Sequence, residues 1–231
     1  LGKTLIRMYE PTAGKIYYKG EDITDRKLNK IKSVQNSMQI IFQDPYSSLN
    51  PFWNVEEILS EPLKNLKIKR GDMYESIKLI LNKVGMSEDD LIKFPYEFSG
   101  GQRQRIGIAR ALLVNPEFIM CDEPIAALDV SIQAQVVNLL QDLQKEFGLT
   151  YLFTAHDLSM VRYISNRIGV MYLGSLVEIA NSKSLFKKPL HPYTKALLSA
   201  VPSPDPSKKN INEKVKISGE VSQVFADSNT C

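Results

Sequence analysis

Apolar positions along the chain change rhythm several times, and each change predicts a different element. Met38-Gln39-Ile40-Ile41-Phe42 is a near-continuous apolar run suited to a buried strand, and it stops sharply at Gln43-Asp44-Pro45. From Tyr46 to about Leu112 the period becomes helical. Val55, Ile58, Leu59 and Leu63 mark one helix, with Pro62 predicting its end nearby. Ile77, Ile80, Leu81 and Val84 mark a second, closed by Gly85. Strand character returns at Phe118-Ile119-Met120-Cys121 and Tyr151-Leu152-Phe153-Thr154, separated by a helical stripe of Ile132, Val136, Leu139, Leu140 and Leu143. Strand, helix, strand is the pattern of a parallel-sheet crossover.

The ends read differently. Residues 1–9 predict a helix stopped by Glu10-Pro11, and Lys15 to Gly20 a short strand after the turn Pro11-Thr12-Ala13-Gly14. Gly169 to Leu173 and Leu176 to Ile179 flank Gly174-Ser175, which predicts a hairpin with a type II′ turn. Beyond Asn181 the chain becomes a polar, proline-punctuated extension, and Pro202-Ser203-Pro204-Asp205-Pro206 reads as a linker. No internal repeat is visible. The layout predicts an α/β sheet domain interrupted by a helical insertion and followed by an appendage.

Composition changes this picture little. Of 231 residues, 43% are apolar and 24% charged, an ordinary globular balance. A net charge of +3 with dispersed basic residues gives no sign of a nucleic-acid binder. The two cysteines, Cys121 and Cys231, are too far apart to resemble a metal-binding spacing, and so few point to a reducing compartment. No apolar run approaches the roughly 18 residues that span a bilayer, and no signal peptide opens the chain. The expectation is a soluble, cytoplasmic protein.

Ligands of open α/β sheets sit at the carboxyl ends of the strands. Three predicted strands end there in polar groups: Gln43, Asp122-Glu123, and His156-Asp157. Carboxylates beside a carboxamide suit Mg²⁺, a second carboxylate can polarise water, and an imidazole can contact a phosphate oxygen. Taken singly, Gln43 reads equally as a capping residue, Asp122-Glu123 as an acidic turn, and His156 as a structural imidazole. Their common edge is what the separate readings leave unexplained. Ser99-Gly100-Gly101-Gln102 opens a predicted helix from Arg103 to Leu113. Its free backbone N–H groups suit an anion, although Ser99 on its own reads as an N-cap.

Together these residues resemble the ATP-binding subunit of an ABC transporter. The resemblance covers nearly the whole chain and rests on five motifs in the family's order. They are Gln43 of the Q-loop, the signature SGGQ at 99–102, FIMCDEP at 118–124 as Walker B with its glutamate, Ala127-Leu128-Asp129 of the D-loop, and His156 of the H-loop. QIIFQDPYSSLNP at 39–51 and LHPYTKALLSAVP at 190–202 resemble the oligopeptide/dipeptide-importer branch. The resemblance implies a P-loop NTPase fold: a partial α/β core at 1–44 and 113–180, a helical subdomain at 45–112, and a branch-type extension at 181–231. It implies ATP and Mg²⁺ as cofactors, with Gln43 and Asp122 at the metal, Glu123 as general base and His156 at the γ-phosphate. Ser99, Gly100, Gly101 and Gln102 would serve the nucleotide of a second ATPase subunit, and Asp129 would couple the two sites. The implied partners are that subunit, two membrane-spanning permease subunits and, indirectly, an extracytoplasmic substrate-binding protein, with no nucleic acid. The implied location is the cytoplasmic face of the membrane.

Gly2-Lys3-Thr4 spells the end of a phosphate loop, but G-x-x-x-x-G-K-[ST] needs residues that only Leu1 precedes. Aligned on Pro11-Thr12-Ala13-Gly14, Leu1 falls just after the family's loop. The first strand, the adenine-stacking aromatic residue and the phosphate lysine are therefore expected upstream. Cys231 falls where the branch's first cysteine of a cysteine-rich segment would lie, but is read as an incidental thiol. Ala126 and Ala155 stand where the family often has serine, each losing one possible hydrogen bond worth about 1 kcal/mol. Two rival readings stay open: a non-transport ABC ATPase acting on nucleic acid or ribosomes, and a non-catalytic fragment.

Overall fold

The computed structural model describes residues 1–25 and 34–200; the expected linker at 202–206 and Cys231 lie outside the described residues. The chain divides into two compact units, Leu1–His156 and Asp157–Cys231.

The first unit is built on three parallel strands, β3 (Met38–Ile41), β4 (Phe118–Asp122) and β5 (Thr150–Thr154), ordered β3-β4-β5. Met38 pairs with Phe118 and Phe118 with Thr150, so the strands run in step and end at one edge. Ile119, Met120 and Cys121 are buried, as a central strand covered on both faces requires. Ahead of the sheet, α1 (Gly2–Leu5) is much shorter than the predicted helix over 1–9. Arg7 adopts a left-handed φ of 62°, and the Met8 and Arg7 N–H groups donate back to the Lys3 and Thr4 carbonyls, closing a Schellman turn. Gly2 packs directly on the Met120 side chain, closer than a Cβ would allow without the methionine moving.

The predicted strand over Lys15–Gly20 is a hairpin, β1 (Tyr17–Tyr18) with β2 (Glu21–Asp22). Lys19 and Gly20 both have positive φ, 49° and 82°, which makes a type I′ turn. The hairpin was hidden because Glu21-Asp22 carries no apolar signal.

Between β3 and β4 lie α2 (Val55–Asn65), α3 (Arg70–Lys83) and α4 (Gly100–Leu112). Asn54 starts α2 in a reciprocal capping box with Glu57 at 2.8 and 2.9 Å. Pro62 lies inside the last turn of this helix, which ends nearby as expected, at Asn65. An interior proline costs about 3 kcal/mol, whereas burying Val55, Ile58, Leu59 and Leu63 contributes roughly 1.5–3 kcal/mol each. Packing wins. Gly85, at φ 72°, closes α3 as expected. The crossover from β4 to β5 is α5 (Val130–Phe147), which buries Val136, Val137, Leu140 and Leu143 and ends on Gly148 at φ 65°.

The second unit contains α6 (Leu158–Ile164), the antiparallel hairpin β6 (Arg167–Tyr172) and β7 (Ser175–Asn181), then α7 (Ser182–Lys187) and α8 (Pro192–Ser199). Tyr172 pairs with Ser175, so the loop is Leu173-Gly174 with φ of 46° and 82°. The turn is type I′, not the expected II′, because Gly174 holds its second position rather than its first. The extension past Asn181 is helical where described.

Glu178 fixes the approach to α8. Its two carboxylate oxygens accept the Leu190 and His191 N–H groups at 2.9 and 3.0 Å. Nearby polar hydrogens, those of the Thr194 hydroxyl first and then these amides, hold its carboxyl below the usual glutamate value. A depressed folded pKa stabilises above the unfolded value and loses that contribution as pH falls through the folded one. Amide exchange at Leu190 and His191 should therefore be slow near neutrality, and the protection should fade below about pH 4. Glu178→Gln should flatten that acid dependence.

Candidate functional site

Because the three parallel strands end in step, the residues just past their carboxyl ends emerge at one rim. Gln43 follows β3 by two positions, Asp122 ends β4 with Glu123 next, and His156 follows β5 by two. Glu123 is where they meet. Its Oε2 accepts the Gln43 Nε2–H at 2.8 Å, and its Oε1 lies 2.7 Å from His156 Nε2. The Glu123 side chain is 20% exposed and that of His156 85%. An ion pair or hydrogen bond with so exposed a partner is worth about 0–1 kcal/mol, so the imidazole can leave the carboxylate at small cost.

Glu123 sits at φ 48°, a conformation uncommon for any residue with a Cβ. Its N–H donates to both the carbonyl and the hydroxyl of Thr154, at 3.2 and 3.1 Å. The same hydroxyl lies 3.3 Å from the Asp122 carboxylate. Asp122 is thus beside Thr154 on the rim, one residue from the Gln43–Glu123–His156 cluster. The neighbouring Cys121 thiol takes no part: burial pushes its pKa up, which keeps it a neutral thiol.

Ser99, Gly100, Gly101 and Gln102 form a second group at the start of α4. Ser99 Oγ accepts the Gln102 N–H at 3.3 Å, and Gln102 Oε1 accepts the Ser99 N–H at 3.0 Å, a full capping box. Gly100 and Gly101 face Leu128 and Ile132, so the segment before α5 lies directly against the SGGQ turn. Asp129 caps α5 with its backbone carbonyl, and its side chain is exposed. Gln133 clamps this segment by donating Nε2–H to the Ile125 and Leu128 carbonyls at 3.1 and 3.0 Å.

Three arginines of α4 tie the rim to the helices, and periodicity did not single them out. Arg103 donates to the Phe98 carbonyl at 2.9 and 2.6 Å and lies over the Tyr46 ring at 5.1 Å. Arg110 donates to the Ser48 carbonyl at 2.7 Å, and Arg105 to the Val84 carbonyl at 2.6 Å. The Asp44 carboxyl is held below its usual value by the Tyr46 backbone N–H first, then Ser47, with Arg103 adding charge. The segment after Gln43 is therefore anchored to α4 by long polar side chains reaching backbone carbonyls, a contact that leaves no repeating mark in a sequence.

Residues 1–126, more than half of the chain, match the ABC transporter family. The chain belongs to the ABC transporter ATP-binding family. Residues 177–231 of this ABC protein also match the C-terminal region of oligopeptide/dipeptide transporters. The oligopeptide transport ATP-binding protein OppF of Bacillus subtilis is 55% identical over 227 residues, covering 96% of this chain and 74% of the relative. The dipeptide transport ATP-binding protein DppF of Lactococcus lactis is 49% identical over 210 residues, covering 89% and 67%. Among solved structures, CbiO1 from Clostridium perfringens, part of the ABC transporter complex CbiONQ, superposes with a TM-score of 0.73 at 27% identity, covering 80% of this chain and 73% of that one. An ATP-binding cassette solved as a dimer after hydrolysis, with ADP and phosphate bound, superposes at 0.69 with 25% identity, covering 78% of each chain. The P-loop NTPase fold and nucleotide binding follow from this membership. Among the described residues, no helix of this ABC ATPase is long and apolar enough to cross a membrane.

The two signature glycines should separate in a stability measurement. A Cβ on Gly101 would sit 2.5 Å from Ile132 Cγ2, whereas one on Gly100 would meet Leu128 at 3.4 Å, an ordinary contact. Gly101→Ala should cost about 1–3 kcal/mol by overpacking, read as a lower thermal midpoint, and Gly100→Ala should leave the midpoint close to that of the parent.

Proposed function

We propose that this protein is the ATP-hydrolysing subunit of a peptide importer of the oligopeptide/dipeptide type. The match of residues 177–231 to the C-terminal region of such transporters supports that branch over a nucleic-acid-directed ATPase. The observation carrying the chemistry is the Glu123 carboxylate held between Gln43 and His156 at the strand ends.

In this reading Glu123 is the general base for the attacking water. Each Glu123 oxygen keeps a second lone pair, so a water can be held there beside Gln43 and His156. The exposed His156 side chain is free to turn from Glu123 toward a γ-phosphate oxygen. Gln43 orients the same water through its carboxamide. The proton passes from water to Glu123 as the new O–P bond forms and the bond to the ADP leaving group breaks.

The donor set fits Mg²⁺. Among the described residues no cluster of three or more His, Cys, Asp or Glu side chains forms a self-sufficient metal cage. Mg²⁺ is commonly held by only one or two carboxylates together with waters and substrate phosphates. Asp122 would supply the carboxylate and Gln43 its carboxamide oxygen, the atom left over when Nε2–H serves Glu123. Bound there, Mg²⁺ would supply neutralisation of the charge on the β- and γ-phosphates.

Ser99, Gly100, Gly101 and Gln102 would serve the nucleotide of a second ATPase subunit, with Asp129 coupling the two sites through the segment packed on the SGGQ turn. The protein would bind peripherally to two permease subunits on the cytoplasmic face, supplied from outside by a substrate-binding protein. The sheet residues at 1–44 and 113–180, the helices at 45–112 and the extension at 181–231 would form its functional parts.

Glu123→Gln in the full-length protein removes the base while keeping the shape. Hydrolysis should fall by at least about 100-fold with nucleotide affinity unchanged. Turnover near the parent rate would overturn the assignment.

A further inference from the structure

We propose that Thr154 is a positioning residue for hydrolysis, setting the backbone of Glu123 and the carboxylate of Asp122 together. The inference rests on the roles given to those two residues above, and it concerns a side chain that no motif of the site includes.

Thr154 is the last residue of β5 and pairs in register with Asp122 at the end of β4. An ordinary strand-end residue would contribute its backbone carbonyl to the ladder, and Thr154 does so by accepting the Glu123 N–H at 3.2 Å. Its hydroxyl adds contacts that the ladder does not need. The oxygen accepts the same Glu123 N–H at 3.1 Å, and it lies 3.3 Å from both the Cys121 carbonyl and Asp122 Oδ1. One hydroxyl thus touches the last two residues of the neighbouring strand and the residue after it, the latter two being the acidic pair.

Those contacts fall where the backbone needs support. Glu123 turns to φ 48° immediately after the strand, a conformation that costs a residue with a Cβ about 1–3 kcal/mol and persists only when its surroundings enforce it. The shared N–H bond enforces it from the side of β5. The turn in Glu123 aims its carboxylate at Gln43 and His156, so a relaxed φ would point the base elsewhere. At the same time the hydroxyl proton, divided between the Cys121 carbonyl and Asp122, limits the rotation of the Asp122 carboxylate. Thr154 couples the two acids.

Thr154→Val is the isosteric test. It keeps the β-branched shape and the backbone ladder bond and removes only the hydroxyl. Thr154→Ser keeps the hydroxyl and removes a methyl group. Thr154→Ala, which deletes both, serves if the valine variant does not fold. These are compared with Glu123→Gln in the full-length protein by steady-state ATP turnover, equilibrium nucleotide titration and thermal unfolding. Thr154→Val, or Thr154→Ala, should lose about tenfold or more in kcat, as small misplacements of a reacting group do, with the nucleotide Kd within about twofold of the parent. Thr154→Ser should recover most of the rate.

Parent-like turnover in Thr154→Val beside an inactive Glu123→Gln would overturn the inference and leave the site reading intact. Equal losses of rate, nucleotide affinity and thermal midpoint in the valine and serine variants would make Thr154 merely structural and also overturn it. An active Glu123→Gln would remove the site reading and this inference with it.

Discussion

One carboxylate contacted by two side chains organises the functional rim of this protein. Glu123 accepts from Gln43 on one oxygen and meets His156 Nε2 with the other, although the three residues come from the ends of three different strands. That meeting depends on parallel strands in strict register, since a one-residue slip in β3 or β5 would carry Gln43 or His156 away from the β4 end. It also depends on Glu123 leaving the strand at a positive φ, which lifts its side chain out of the alternation that the strand would impose. Strands paired in step supply the precision, and a locally strained residue supplies the direction.

The same rim is mechanically joined to the helices inserted between β3 and β4. The chain leaves the sheet at Gln43, and Arg103 and Arg110 of α4 then grip the Phe98 and Ser48 carbonyls, with Arg103 also lying over Tyr46. Arg110 is desolvated enough to lower its pKa without losing its charge. Hydrogen bonds from charged donors are stronger than neutral ones, about 1.5–3 kcal/mol each. The segment that follows Gln43 is therefore held to α4, whose own N-terminus is the SGGQ turn. The glycines of that turn rest on Leu128 and Ile132, which joins the two groups of polar residues through one packed helix.

Much of the architecture was legible in the sequence because a strand inside a sheet leaves a short apolar run, buried at the centre of β4 and partly buried in β3 and β5. β3, β4 and β5 were found this way, and the crossover helix α5 by its 3.6-residue stripe. The nearby helix end that Pro62 pointed to is there, three residues on at Asn65. Failures came at turns and short strands. The Leu173-Gly174 turn was shifted by one residue because the glycine was assigned to the wrong turn position. β2 was invisible, being Glu21-Asp22 with no apolar partner. At the site, Gln43, Asp122, Glu123 and His156 were visible as polar groups ending apolar runs. Thr154, Arg103, Arg110 and Gln133 were not, because a hydroxyl at a strand end or a long polar side chain reaching a distant carbonyl has no periodic signature.

The central claim is that Gln43 and His156 act through one shared carboxylate, and a double-mutant cycle on ATP turnover tests it most directly. Gln43→Ala, His156→Ala and the double variant would be compared with the parent as activation free energies in the full-length protein. Residues in one hydrogen-bond network couple by about 0.5–3 kcal/mol, so the double variant should lose clearly less than the sum of the single losses. Losses that add to within about 0.3 kcal/mol would mean that the two side chains act independently, and would contradict the account.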